Sequence, residues 1–109
     1  MFQKNLSLTI IPNYLVRLSQ NAIDDLQTVY SYCLNISSSY CNKVRNKFYN
    51  QFSFISYNPY AFQKLHTKSP KFKDCRRCIC SKFIILYKIQ NGKRVKILNV
   101  FHSKSNYSI

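Results

Sequence analysis

Apolar residues recur at helical spacing in the first half of the chain and at strand spacing in the second, and that division predicts the fold. Ile23, Leu26, Val29, Tyr30 and Cys33 return every three or four residues, as one face of a helix does. Ser19 stands where an N-cap belongs, because its hydroxyl oxygen can accept an orphan amide of the first turn, and Asp24 and Asp25 lie near the positive helix end. After the polar break Asn35-Ile-Ser-Ser-Ser39, Tyr40, Val44, Phe48, Phe52 and Ile55 continue at intervals of four and three. This is a second amphipathic helix, ending before Asn58-Pro59. So short a connection makes the two helices antiparallel.

Strand patterns flank the pair. Tyr14–Leu18 is a short β-like run before it. Asp74–Cys80, Phe83–Ile89 and Val95–Phe101 follow an irregular basic loop from Tyr60 to Lys73. Asn91-Gly92 separates the last two strands, and both residues tolerate the positive φ of a type I′ turn, so those strands pair antiparallel. The order β-α-α-β-β-β predicts an α+β fold. A two-helix antiparallel hairpin packs on one face of a small, mainly antiparallel sheet, and the other face is expected to be open. Residues 13–109 are expected to form this single domain, with 1–12 as an N-terminal extension.

Charge changes the picture from scaffold to binder. Seventeen Lys and Arg stand against three acids, Asp24, Asp25 and Asp74, for a formal charge of +14. Such self-repulsion favours an acidic partner, either nucleic acid or an acidic protein. The segment Lys64 to Lys104 holds twelve of the cations and only Asp74 among the acids, so it is expected to carry an anion-binding surface. Arg76 and Arg77, adjacent on a strand, point to opposite faces.

The cysteines and the missing residue types exclude much chemistry. Cys33, Cys41, Cys75, Cys78 and Cys80 are an odd set without the spacing of a disulfide framework, which fits a reducing cytosol better than a secreted protein. Cys75-Arg-Arg-Cys78-Ile-Cys80 is a single cluster, and a strand turns Cys75 and Cys78 to opposite faces; no metal and no cofactor are expected. The chain has no Glu and one glycine, Gly92, so neither paired-carboxylate catalysis nor a phosphate-cradling glycine loop is available. No apolar run approaches a membrane span. Any catalysis would rest on Lys, Arg, His and Tyr, the groups of metal-independent RNA cleavage. Phe83, Ile85, Tyr87 and Ile89 share one strand face and are expected in the core.

Three sets of residues, in order, resemble the RelE/ParE superfamily of toxins from type II toxin–antitoxin pairs. Leu18-Ser-Gln-Asn-Ala-Ile-Asp-Asp-Leu26 is similar to the start of the family's first helix, and Pro59-Tyr-Ala-Phe62 to the loop after its second. Arg76-Arg77 through Lys82-Phe83-Ile-Ile-Leu-Tyr87 to Val100-Phe-His102 is similar to its last three strands. The resemblance implies a cytoplasmic toxin neutralised by a cognate acidic antitoxin, whose initially disordered segment folds across the basic face.

Two modes of action follow from the resemblance. ParE-type members poison DNA gyrase by stabilising its cleaved complex; RelE-type members cleave mRNA on the ribosome. In the nuclease case the resemblance points to His102, Arg77 and Tyr107 as catalytic groups. Lys71, Lys73, Arg76, Arg77, Lys82 and Lys104 would bind the nucleic acid or the target in either case. At Ile79, Ile84 and Ser103 this chain departs from the arginines such nucleases carry, which favours the gyrase branch. A small nucleic-acid-binding protein without toxic or catalytic action is the further alternative.

Overall fold

The computed structural model describes residues 13–104. The expected extension 1–12 and Tyr107 lie outside the described residues. The elements are β1 (Leu15–Leu18), α1 (Gln20–Ile36), α2 (Ser38–Tyr57), β2 (Arg76–Cys80), β3 (Phe83–Gln90) and β4 (Arg94–His102), with a 3-10 turn at Pro70–Phe72 before β2. The sheet order is β1-β4-β3-β2; β1 runs parallel to β4, and the other two pairings are antiparallel. Both helices lie on one face, so the α+β architecture is the expected one. No helix among the described residues is long and apolar enough to cross a membrane.

A single residue, Ser37, makes the helix hairpin. Its extended backbone (φ −171°) ends α1, its N–H donates to the Cys33 carbonyl, and its hydroxyl oxygen accepts from the Tyr40 N–H at 3.0 Å to begin α2. The polar break thus contracts to one residue. Ser19 caps α1 as expected, accepting from the Ala22 N–H at 3.0 Å. The buried stripe of α1 is Ala22, Leu26, Val29 and Cys33; Ile23 stays 37% exposed, because the stripe centres one residue earlier than its larger side chains suggest. Asp24 and Asp25 sit in the second turn, and no acid lies in the first.

The core between helices and sheet is aromatic at its centre. Phe48, 1% exposed, has its ring 6.2 Å from Tyr30, 6.0 Å from Phe52 and 5.5 Å from Phe83, joining both helices to β3. Tyr87 is fully buried and donates its hydroxyl to the Pro59 carbonyl at 2.6 Å, which anchors the chain leaving α2. Burial pushes this phenol up to about 12. The expected core face of β3, Phe83, Ile85 and Tyr87 with Ile89 packed against them, is the one observed.

Two strand details differ from expectation. The β3–β4 connection is three residues, and the left-handed φ values fall on Gly92 (74°) and Lys93 (54°), one residue later than an Asn-Gly pair would place them. Strand β2 starts at Arg76 because Asp74 is itself left-handed, φ 62°, a conformation that Asp adopts more readily than most residues.

The second face of the sheet is not open, contrary to the sequence reading. The loop after α2 folds back over it, and Leu65 and Phe72 pack on Cys75, Ile84, Leu86, Leu98 and Phe101. A bulge in β4 makes this possible. Leu86 pairs with Asn99 while Tyr87 pairs with Ile97, so Leu98 is an extra residue and the facing of β4 reverses there. Val95 and Ile97 face the helices before the bulge, and Val100 does so after it, while Leu98 and Phe101 turn to the far side.

Candidate functional site

The cationic residues singled out in the sequence do not converge on one surface. Arg76 faces the helix side with Tyr87, its cross-strand partner. Its guanidinium lies 5.1 Å above the Tyr60 ring and donates to the Phe62 carbonyl at 2.6 Å, so it holds the loop after α2 in place. Arg77 pairs with Leu86 on the far face and is exposed. The two arginines thus point apart, as expected of neighbours on a strand. Lys71, on the 3-10 turn, places its ammonium 5.3 Å from the Phe72 ring, and Lys73 ends that turn. Lys82 lies in the β2–β3 turn, next to the end of β4 where Lys104 follows: Ser103 donates its N–H to the Lys82 carbonyl at 2.7 Å.

His102 ends β4 opposite Phe83, and the two rings meet edge to face at 5.5 Å. Phe83 belongs to the core under the helices, so His102 lies on the helix side of the sheet. Its Nδ1 accepts from the Lys104 N–H at 3.1 Å, which leaves Nε2 as the nitrogen that carries the proton in the neutral ring. Arg77 is on the opposite face. A phosphate bound at one of these groups is therefore separated from the other by the sheet itself.

The replacements at Ile79 and Ile84 differ in environment. Ile84 is buried beneath the folded-back loop, whereas Ile79 is 57% exposed on edge strand β2, where its carbonyl accepts from Gln51 of α2 at 2.9 Å. The cysteines are all buried and free. Cys75 faces the far cluster while Cys78 and Cys80 face the helices, so the single sequence cluster is split between two cores. Burial pushes the Cys78 thiol up to about 12 and that of Cys80 up to about 11, which keeps both protonated and unreactive near neutrality. Among the described residues no group of three or more His, Cys, Asp or Glu is placed to hold a metal ion.

Sequence reasoning passed over three cations that the fold aligns. Arg17, Lys96 and Lys88 are consecutive cross-strand neighbours on β1, β4 and β3, all exposed on the far face. Their alignment depends on the parallel β1–β4 pairing, which joins residues at opposite ends of the domain. No local sequence signal carries it.

A model of the ParE toxin family, described as the ParE toxin of the type II toxin–antitoxin system parDE, matches residues 16–107. Three solved structures share the fold. The chromosomal ParDE system from P. aeruginosa aligns at 18% identity over 82% of this chain and 95% of that one, with a TM-score of 0.64. The toxin–antitoxin complex RelBE2 from Mycobacterium tuberculosis aligns at 21% identity over 83% and 98%, with a TM-score of 0.57. The E. coli toxin RelE, as a double arginine-to-alanine mutant in the free state, aligns at 14% identity over 84% and 85%, with a TM-score of 0.54. No curated protein sequence matches the chain. The family match runs from the first strand past the last, and it makes the resemblance a membership: the chain belongs to the ParE toxin family of type II toxin–antitoxin systems.

Proposed function

We propose that this toxin arrests growth in the cytosol by poisoning DNA gyrase, in the ParE manner, rather than by cutting mRNA, and that a cognate acidic antitoxin neutralises it. The observation that carries the choice is the separation of Arg77 and His102 on opposite faces of the sheet. Phosphoryl transfer by cationic stabilisation and proton transfer needs both groups within hydrogen-bond reach of one phosphate. Two further features support the reading. Ile84 is buried and gives no cationic group to the far face, and Arg76 is engaged with Tyr60 and the Phe62 carbonyl. The +14 charge suits an acidic antitoxin, and the exposed apolar side chains of the helices, Tyr32, Leu34, Ile36 and Tyr49, offer it the apolar contact that coupled folding needs.

Induction from a tightly repressed promoter tests this within minutes. Gyrase-linked chromosome breaks with intact transcripts are the expected result; cut transcripts with an intact chromosome would replace the proposal with ribosome-dependent cleavage. A His102→Ala variant sharpens the distinction. It is expected to retain full growth arrest while losing about 0.5–1.5 kcal/mol of stability with the Phe83 ring contact. A folded His102→Ala protein that no longer arrests growth would contradict the gyrase assignment.

A further inference from the structure

We infer that the row Arg17, Lys96 and Lys88 is a binding track for the phosphate backbone of nucleic acid, independent of base sequence. The three residues are direct register partners: Arg17 pairs with Lys96 across the parallel β1–β4 ladder, and Lys96 pairs with Lys88 across the antiparallel β4–β3 ladder. Adjacent strands lie about 4.8 Å apart, so three full charges occupy a line of about 10 Å. Like charges placed directly opposite one another destabilise a sheet. Among the described residues no acid makes an ion pair with any of the three. Asp24 is bound to the Gln20 side chain, Asp25 accepts from the backbone of β4, and Asp74 faces Lys64 at 3.6 Å. Asp24 and Asp25 are therefore engaged away from the row, and Asp74, although it lines a pocket with Lys88, is paired with Lys64.

The row lies on the far face, away from the helices, because Val16, Val95 and Ile97 beside it turn into the core. The folded-back loop covers the neighbouring part of this face through Leu65 and Phe72 but leaves all three cations exposed. Arg77 stands on the same face further along β2.

A polyphosphate fits this surface better than an acidic protein segment does. A disordered segment that folds on binding must offset its ordering cost with apolar burial. Most of the large exposed apolar side chains that could supply it lie on the helices instead, Tyr32, Leu34, Ile36 and Tyr49 among them, whereas the row itself has only Leu15 beside Arg17, and Ile79 stands out on edge strand β2. A nucleic-acid backbone needs no such contact, since each phosphate neutralised releases condensed counterions.

The test is fluorescence anisotropy of a short labelled DNA duplex with the purified full-length protein across a salt series. The triple variant Arg17→Gln/Lys88→Gln/Lys96→Gln is compared with a control of equal charge loss on α2, Lys43→Gln/Arg45→Gln/Lys47→Gln. The row variant is expected to lower the slope of log affinity against log salt by about 2.7, three contacts at roughly 0.9 each. The control is expected to change it far less. Equal losses in the two variants would show attraction by net charge alone and overturn the track. Polyglutamate of matched charge is the second probe; binding to the native protein as tight as that of the duplex, lost equally in the row variant, would assign the row to an acidic protein and overturn the nucleic-acid reading. The row variant should also melt no lower than the native protein, since it removes opposed charges. A lower melting temperature would contradict the repulsion on which the inference rests.

Discussion

Replacing Phe48 by alanine is expected to cost about 3–5 kcal/mol, the range for truncating a fully buried aromatic residue. Among the described residues its ring is the one in contact with three other aromatic rings, on α1, α2 and β3, so truncation opens a cavity where both helices meet the sheet. Each ring pair adds roughly 0.5–1.5 kcal/mol beyond burial, and the three pairs place the cost toward the upper end of the range. A domain of this size has about 5–15 kcal/mol in total. The variant should therefore lose at least about 12 °C of melting temperature. Tyr49→Ala is the matched control: the next residue of α2 is 73% exposed, and its loss should stay within about 0.5 kcal/mol. Comparable losses at the two positions, measured by urea titration, would mean that the core is not centred on Phe48.

That centre was legible in the sequence because local rules fix it. Phe48 falls on the four- and three-residue spacing of α2, and the faces of β3 follow from alternation alone. Ser19 is a cap because a hydroxyl at a helix start accepts a free amide wherever the chain goes next, whereas Ser37, which caps α2 in the same way, stood unmarked within the polar break. The closing of the far face had no such signal. Leu65 and Phe72 are isolated apolar residues in a basic, aperiodic loop, and only the tertiary fold shows that both pack on Ile84 and Leu86. The bulge at Leu98 is equally silent, and it reverses which of the later β4 residues face the helices.

The same bulge decides how the candidate catalytic groups relate. Without the bulge, strict alternation from Val95 along the same residues would turn His102 to the far face, the face that carries Arg77. With it, His102 packs against Phe83. A nuclease-like pairing of Arg77 with His102, which a linear reading of the strands permits, is thus removed by one inserted backbone position. The cation row escapes this effect because Arg17, Lys96 and Lys88 lie on the hairpin side of the bulge, where the alternation is unbroken.

Because the bulge sets these faces, the contacts that hold it should carry unusual weight. Strand β1 ends at Leu18, opposite Ile97, so beyond that point β4 has no strand on that side. The start of α1 takes over. Ser19 donates its N–H to the Ile97 carbonyl and its hydroxyl to the Leu98 carbonyl, each at 2.8 Å. The Asp25 carboxylate accepts from the Val100 N–H at 2.8 Å and from the Asn99 amide at 3.4 Å. A hydrogen bond to an ionised acceptor contributes about 1.5–3 kcal/mol, so Asp25→Ala should lose that much. Asp25→Asn keeps an acceptor oxygen and should lose less. Ser19→Ala removes the cap of α1, at about 1 kcal/mol, together with the bond to Leu98. Because both residues hold the same short stretch of β4, the double variant should depart from the sum of the singles by at least about 0.5 kcal/mol. Asp24→Ala, which loses only an exposed bond to Gln20, should stay within about 0.5 kcal/mol of the native protein. Urea titrations of the four single variants and the double one decide the matter. An Asp25→Ala cost no larger than that of Asp24→Ala would show that the bulge stands without α1, and that β4 itself sets the facing of His102.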